Sequence, residues 1–186
     1  YSEKNEDGYV RISKYPGLFS HVIGYVDKKY GTTGLESLYN PELMGRGNAS
    51  FMTKTKNIIL NEKTGENLIL ALDLKLQQKS QALLKNFNGA IVVSNPKTGE
   101  ILASYSNPTY DERKLSEFIN NENESSMLNR VQFGKYSPGS VMKILTSINL
   151  LQNNFNENYE DTGSIEIGDA KIANYNNMRY GTVDMK

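Results

Sequence analysis

In the stretch GKYSPGSVMKILTSINLL, Gly134 to Leu151, a serine (Ser140) stands three residues before a lysine (Lys143). Pro138-Gly139 breaks the chain just ahead, which predicts that Ser140 lies in the first turn of a helix. Side chains at i and i+3 are neighbours on one helix face, with Cβ atoms about 5–6 Å apart. A helix N-terminus adds free backbone N–H groups and a positive dipole end, which suit a developing oxyanion. An amine kept away from water gives up its proton more readily and can serve as a base. The pair could therefore activate a serine nucleophile without histidine. Lys143 is the only charged residue from Val141 through Asn153. The helix around it is apolar on nearly all sides (Val141, Met142, Ile144, Leu145, Ile148, Leu150, Leu151), which predicts a core helix. The tetrapeptide alone proves little, because an ordinary helix with a snorkelling lysine carries the same pattern. A second Ser-x-x-Lys, Ser94 to Lys97, flanks Pro96 in a predicted turn and is read as structural.

Composition removes the competing chemistries. The 186 residues hold one histidine, His21, and no cysteine, which excludes zinc-thiolate sites and thiol nucleophiles and leaves His-based triads little room. Lys+Arg and Asp+Glu are balanced at 21 each, so no basic excess supports nucleic-acid binding. No apolar run approaches the roughly 18 residues needed to cross a bilayer. The chain opens on YSEKNEDGYV, which reads as a segment of something longer.

The elements that must position Ser140 follow from pattern. Residues 1–66 read as a small α+β unit, with TTGLESLYNPELMG (Thr32–Gly45) at helical spacing and NEKTGEN (Asn61–Asn67) as a boundary turn. NLILALD reads as a buried strand, and Asp73 stands at an N-cap ahead of LKLQQKSQALLKNF. GAIVVSN and EILASYS, joined by PKTG, predict a hairpin. DERKLSEFINN predicts a short polar helix, with Asp111, Glu112 and Glu117 on a solvated face. NENESS and NNFNENYEDTG read as loops, and SIEIG onward is ambiguous. His21 is read as a packing or surface residue, and the sequons at Asn48 and Asn123 as chance.

Taken together, the motifs resemble the penicillin-binding transpeptidases. YSPGSVMK is similar to their Tyr-x-Pro-Gly-Ser-x-x-Lys signature. Asp73, Leu74 and Gln77 resemble the helix that opens the transpeptidase domain. Gly89, Asn95 to Ala103, Asn107, Pro108, Tyr110 and Asp111 resemble its first hairpin and the loop after it, and Asn129-Arg130 the pair before the nucleophile. HVIGYV and YGTTGLESLYNPELMG look like the end of the class B pedestal. The resemblance implies an α+β fold. Residues 1–66 would be the end of a non-catalytic, dimerisation-type pedestal, and 67–186 the N-terminal half of a penicillin-binding-protein/serine β-lactamase-like transpeptidase domain.

It implies Ser140 as the acylated nucleophile, Lys143 as its general base and the Ser140 backbone N–H as half of the oxyanion hole, with no cofactor and no metal. The implied partners are the D-Ala-D-Ala end of a peptidoglycan stem peptide, β-lactam antibiotics, and proteins of the division or elongation machinery. The implied location is the extracytoplasmic face of a bacterial membrane, with an N-terminal transmembrane anchor outside this chain. Two further family motifs, Ser-x-Asn and Lys-Thr-Gly, belong after the serine. Here KTGE occurs at Lys63–Glu66 and Lys97–Glu100, ahead of Ser140, and Ser147-Ile148-Asn149 lies on the nucleophile's own helix, about 10 Å away. All three are read as decoys. GTVDMK resembles the lead-in to the Ser-x-Asn helix, so the expectation is a piece of a transpeptidase that is inactive by itself. A β-lactam sensor or serine β-lactamase of the same fold, and a cell-wall scaffold with a vestigial serine, stand as alternatives.

Overall fold

A computed structural model describes residues 2–5, 8–46, 55, 59, 65–120, 125–155 and 157–184. They fall into two compact units, Tyr1–Lys135 and Tyr136–Lys186.

In the first unit Asp73 does what its position predicts. With φ −92° and ψ 124° it stands just outside helix Leu74–Leu84, and its carboxylate accepts the Leu76 N–H at 2.9 Å. Numbered in chain order, this helix is α4. Ahead of it come β1 (Ser2–Asn5), β2 (Gly8–Arg11), α1 (Ser20–Ile23), β3 (Val26–Asp27), β4 (Gly31–Thr32), α2 (Gly34–Leu38) and α3 (Asn40–Leu43). The expected hairpin follows α4 as β5 (Gly89–Ser94) and β6 (Ile101–Asn107), antiparallel, from the Gly89–Asn107 pair to the Val93–Ala103 pair. Its turn is held by the Asn95 side chain, which accepts the Lys97 N–H at 3.0 Å, and by Gly99 at φ +77°. Ala103 and Tyr105 are buried on β6, beneath α4. Gln77, fully buried on α4, donates to the Leu18 and Ser104 carbonyls at 2.8 and 2.9 Å and accepts the Ser104 N–H at 2.9 Å.

The stretch read as a buried strand, 67–73, has no strand partner among the described residues. Ile69 is 93 % exposed, and among the described residues the backbone joins the sheet only where Asp73 N–H donates to Leu102. An apolar run becomes a strand only when a neighbouring edge completes its hydrogen bonds.

The N-terminal residues make short hairpins, β1 with β2 and β3 with β4, followed by α2 and α3. The helical spacing of Thr32–Gly45 is realised as two turns because Pro41 cannot continue the first. Gly24 (φ +82°) and Gly34 (φ +60°) stand face to face, and a Cβ on Gly24 would collide with the Thr33 carbonyl. The core here is aromatic: Tyr25, Tyr110 and Leu115, flanked by Tyr30, Phe118 and Met127. Asn107–Pro108 is a cis peptide. Helices α5 (Leu115–Ile119) and α6 (Arg130–Phe133) and a 3₁₀ turn, Ser125–Met127, complete the unit.

In the second unit a 3₁₀ turn, Gly139–Val141, leads into α7, Met142–Gln152. Beyond α7 the strands β7 (Tyr159–Asp161) and β10 (Gly181–Val183) pair, as do β8 (Ser164–Ile167) and β9 (Ala170–Ala173). Tyr159–Asp161 therefore belongs to a strand, although the stretch around it reads as polar loop. Asp161 supplies the reason. Its carboxylate accepts Gly163 N–H, Asn174 Nδ2 and Tyr180 N–H at 2.9, 2.7 and 3.1 Å, fastening one end of the β7–β10 pair to the open end of the β8–β9 hairpin. The backbone and side-chain donors around it hold its carboxyl below the usual range.

Candidate active site

Ser140 sits where the chain turns into α7. Pro138 keeps φ −67°, Gly139 swings to φ +53°, and the Val141 N–H closes the turn on the Pro138 carbonyl at 3.2 Å. Glycine suits that left-handed step because it has no Cβ to clash. A 3₁₀ turn brings residues three apart over one another, so the backbone carries Ser140 and Lys143 on one side at the mouth of α7. The Ser140 N–H has no backbone partner among the described residues, as is usual in the first turn of a helix.

The surroundings of Lys143 differ from the reading of a core helix. Val141, Met142, Ile144, Leu145, Ile148 and Leu151 are all exposed, as are Ser140 and Lys143 themselves. No residue of α7 is buried. An all-round apolar helix is buried only when other layers surround it. Within its own unit α7 packs mainly on the 3₁₀ turn before it. The pattern records what the helix can be packed against, not what covers it here.

Two of the three decoy stretches take part in local structure. Asn149 accepts from Asn153 Nδ2 through its carbonyl (2.8 Å) and its own side chain (3.2 Å), closing the helix C-terminus. Lys97–Glu100 forms the hairpin turn, with Thr98 donating to Glu100 at 2.8 Å. Of Lys63–Glu66, the first two residues lie outside the described residues.

Asn129 and Arg130 serve a second, unanticipated structure inside the first unit. Asn129 caps α6 by accepting the Val131 N–H at 3.2 Å, while its amide donates to the His21 carbonyl at 3.0 Å. Arg130 is buried and donates to the Ser125 carbonyl (2.9 Å) and hydroxyl, with its own N–H on the Ser106 hydroxyl at 3.0 Å. Around them runs a polar seam tying residues 13–21 to residues 109–129. Thr109 donates to the Gly17 carbonyl at 2.7 Å and Tyr110 to the Ser20 carbonyl at 2.9 Å.

Glu112 corrects the reading of a solvated face. Its carboxylate takes the Gly17 N–H at 3.0 Å, the Ser20 hydroxyl at 2.6 Å and the Ser13 hydroxyl. Burial pushes its carboxyl up, but the hydrogen bonds from Gly17, Ser13 and Ser20 outweigh that and leave it below the usual range. Glu117 does stay in solvent, in an i,i+3 pair with Lys114 at 3.7 Å. Burial, followed by the neighbouring Tyr25, pushes the Tyr110 hydroxyl up to about 12. Glu112 carries no signal in the sequence, since its three donors lie more than 90 positions away.

Comparison with known proteins agrees with the motifs. A penicillin binding protein transpeptidase domain matches residues 89–186, more than half of the chain, and a penicillin binding protein A dimerisation domain matches 1–68. Penicillin-binding protein 3 of Bacillus subtilis (strain 168) is 36 % identical over 158 residues, covering 77 % of this chain and 24 % of that protein. Among solved structures, a D,D-transpeptidase domain from Eggerthella lenta is 32 % identical, with TM-score 0.78 over 99 % of this chain and 42 % of the other. Penicillin-binding protein A from M. tuberculosis, solved as its penicillin G acyl-enzyme complex, shares the fold at TM-score 0.84 and 23 % identity, over 100 % of this chain and 48 % of that one. The chain spans about a quarter of the length of the curated relatives it matches. With an α+β fold, the Ser-x-x-Lys turn at the head of α7 and matches to both domains, the chain belongs to the class B penicillin-binding proteins, the transpeptidase family in which a dimerisation domain precedes the catalytic one.

Proposed function

We propose that this chain is part of a peptidoglycan D,D-transpeptidase, with residues 1–66 the end of its pedestal and 67–186 the first half of its catalytic domain. The observation that carries the reading is Ser140 in a 3₁₀ turn opening α7, three residues ahead of Lys143. In this mechanism the Ser140 oxygen attacks the penultimate carbonyl of a D-Ala-D-Ala stem as its proton passes to the Lys143 amine. The Ser140 N–H donates to the oxyanion that forms. The C–N bond to the last D-alanine then breaks, and the departing amine takes the proton. An amine from a neighbouring strand attacks the resulting ester, completes the cross-link and releases Ser140. A β-lactam enters by the same first step, but its ring-opened acyl group stays on the serine.

In the described structure Lys143 is exposed, without the apolar cover that the pattern of its helix calls for. The 186-residue chain alone is therefore expected not to acylate. The proposed setting is the extracytoplasmic face of a bacterial membrane, with an anchoring helix and division or elongation partners supplied outside these residues. Among the described residues no helix is long and apolar enough to cross a membrane. A fluorescent penicillin tests the reading. The complete protein should label, its Ser140→Ala variant should not, and the 186-residue chain should stay dark. Labelling that survives Ser140→Ala would remove the assignment of the nucleophile, and a stable Ser140-dependent adduct on the chain alone would overturn its inactivity.

A further inference from the structure

His21 is the one histidine of the chain, and it is placed where a proton would matter. It lies in α1 and holds the segment 125–130 by two separate groups. Its Nε2–H donates to the Ser126 carbonyl at 2.7 Å, and its own carbonyl accepts from Asn129 Nδ2 at 3.0 Å. Its ring stands edge-on to Tyr110, with centroids 5.2 Å apart at 88°. The ionisable groups around it come from two sides. Tyr110, from the loop after β6, stays protonated through the physiological range. Arg130, from α6, is a buried cation occupied with Ser125. Glu112, the carboxylate of the same seam, bonds Ser20, the neighbour of His21, and takes Ser13 and Gly17 as well.

We propose that His21 is an acid-sensitive latch between α1 and the segment 125–130: the neutral ring keeps it shut, and a proton on the ring loosens it. A neutral imidazole fits a half-buried pocket and needs one donor bond, which Ser126 satisfies. A protonated ring would add a second positive charge beside Arg130, in a place with little water to solvate it. Burial foremost, with Arg130 also contributing, lowers the His21 pKa despite the opposing pull of the Ser126 bond. For a base with a depressed folded value, the unfolded or opened form takes up the proton first. The latch is therefore fully effective above about pH 6.5, the ordinary histidine value, and weakens as pH falls below it.

Amide hydrogen exchange on residues 125–133 between pH 5 and 7.5, corrected for intrinsic chemistry, reads the latch directly. Local opening in the wild type should rise as pH falls below 6.5, by up to about tenfold per pH unit, the limit for one proton. In His21→Gln, which keeps a side-chain N–H donor without a titrating ring, the rise should vanish. The ring resonance of the single histidine should titrate below the ordinary value in the wild type. If His21→Gln fails to fold, that titration decides the matter alone. A ring that titrates at or above pH 6.5, or an acid-driven opening that persists in His21→Gln, would overturn the latch.

Discussion

Gln77 meets Ser104 with both ends of its side-chain amide, donating to its carbonyl and accepting from its N–H, each at 2.9 Å. A helix side chain thus takes the place that a backbone neighbour would hold along β6. Its Nε2 also reaches the Leu18 carbonyl, so one residue joins α4, the hairpin and the N-terminal segment. Replacing it with leucine would strand Ser104 N–H and two carbonyls in a buried site. Gln77→Leu is expected to cost about 2–4 kcal/mol, read as a lowered denaturation midpoint with an unchanged slope.

Glu112 makes the fold sensitive to acid. Its folded pKa lies below the ordinary value, so its contribution is present above the unfolded pKa and is lost as pH falls through the folded one. Thermal melts of the wild type between pH 6 and pH 3 should lose stability more steeply than those of Glu112→Gln. Parallel curves would show that ionisation of Glu112 contributes nothing to the acid sensitivity of the fold.

Gly24 is fixed by space as well as by conformation. With φ +82° and the Thr33 carbonyl in the way, Gly24→Ala should cost at least about 2 kcal/mol. Gly139→Ala, at φ +53° with open space around it, should cost only about 1–2 kcal/mol. Denaturant titration of the two variants separates the clash from the backbone preference.

Lys143 and Ser140 are exposed in this chain, so neither should matter to its folding. Lys143→Met is expected to change stability by less than about 0.5 kcal/mol. In the complete protein the same change should slow acylation by a fluorescent penicillin by about 10²–10⁴-fold, the range of a lost general base. A large melting shift in the chain without loss of labelling would mark Lys143 as structural.

Much of the first unit is legible in the sequence because its signals are local. Asp73 announces α4 through a bond only three residues long, and the turn between β5 and β6 is written in Asn95, Pro96 and Gly99. Ser140 is legible for the same reason, since its turn needs only Pro138 and Gly139. What escapes depends on distant partners. Asn67–Asp73 has the composition of a strand but no edge beside it among the described residues, and Glu112 finds its donors in residues 13–20. Apolar residues all round α7 state a capacity for burial, and only packed neighbours can fulfil it.

The seam also bears on how such a protein can be dissected. Residues 13–21 supply the donors that satisfy Glu112 and the carbonyls that Thr109, Tyr110 and Asn129 bind. Cutting the chain at the exposed linker near Glu66 would leave those groups stranded in both pieces. A piece expressed from that cut onward would carry unmet polar atoms, so the practical place to begin a shortened version lies upstream of Arg11.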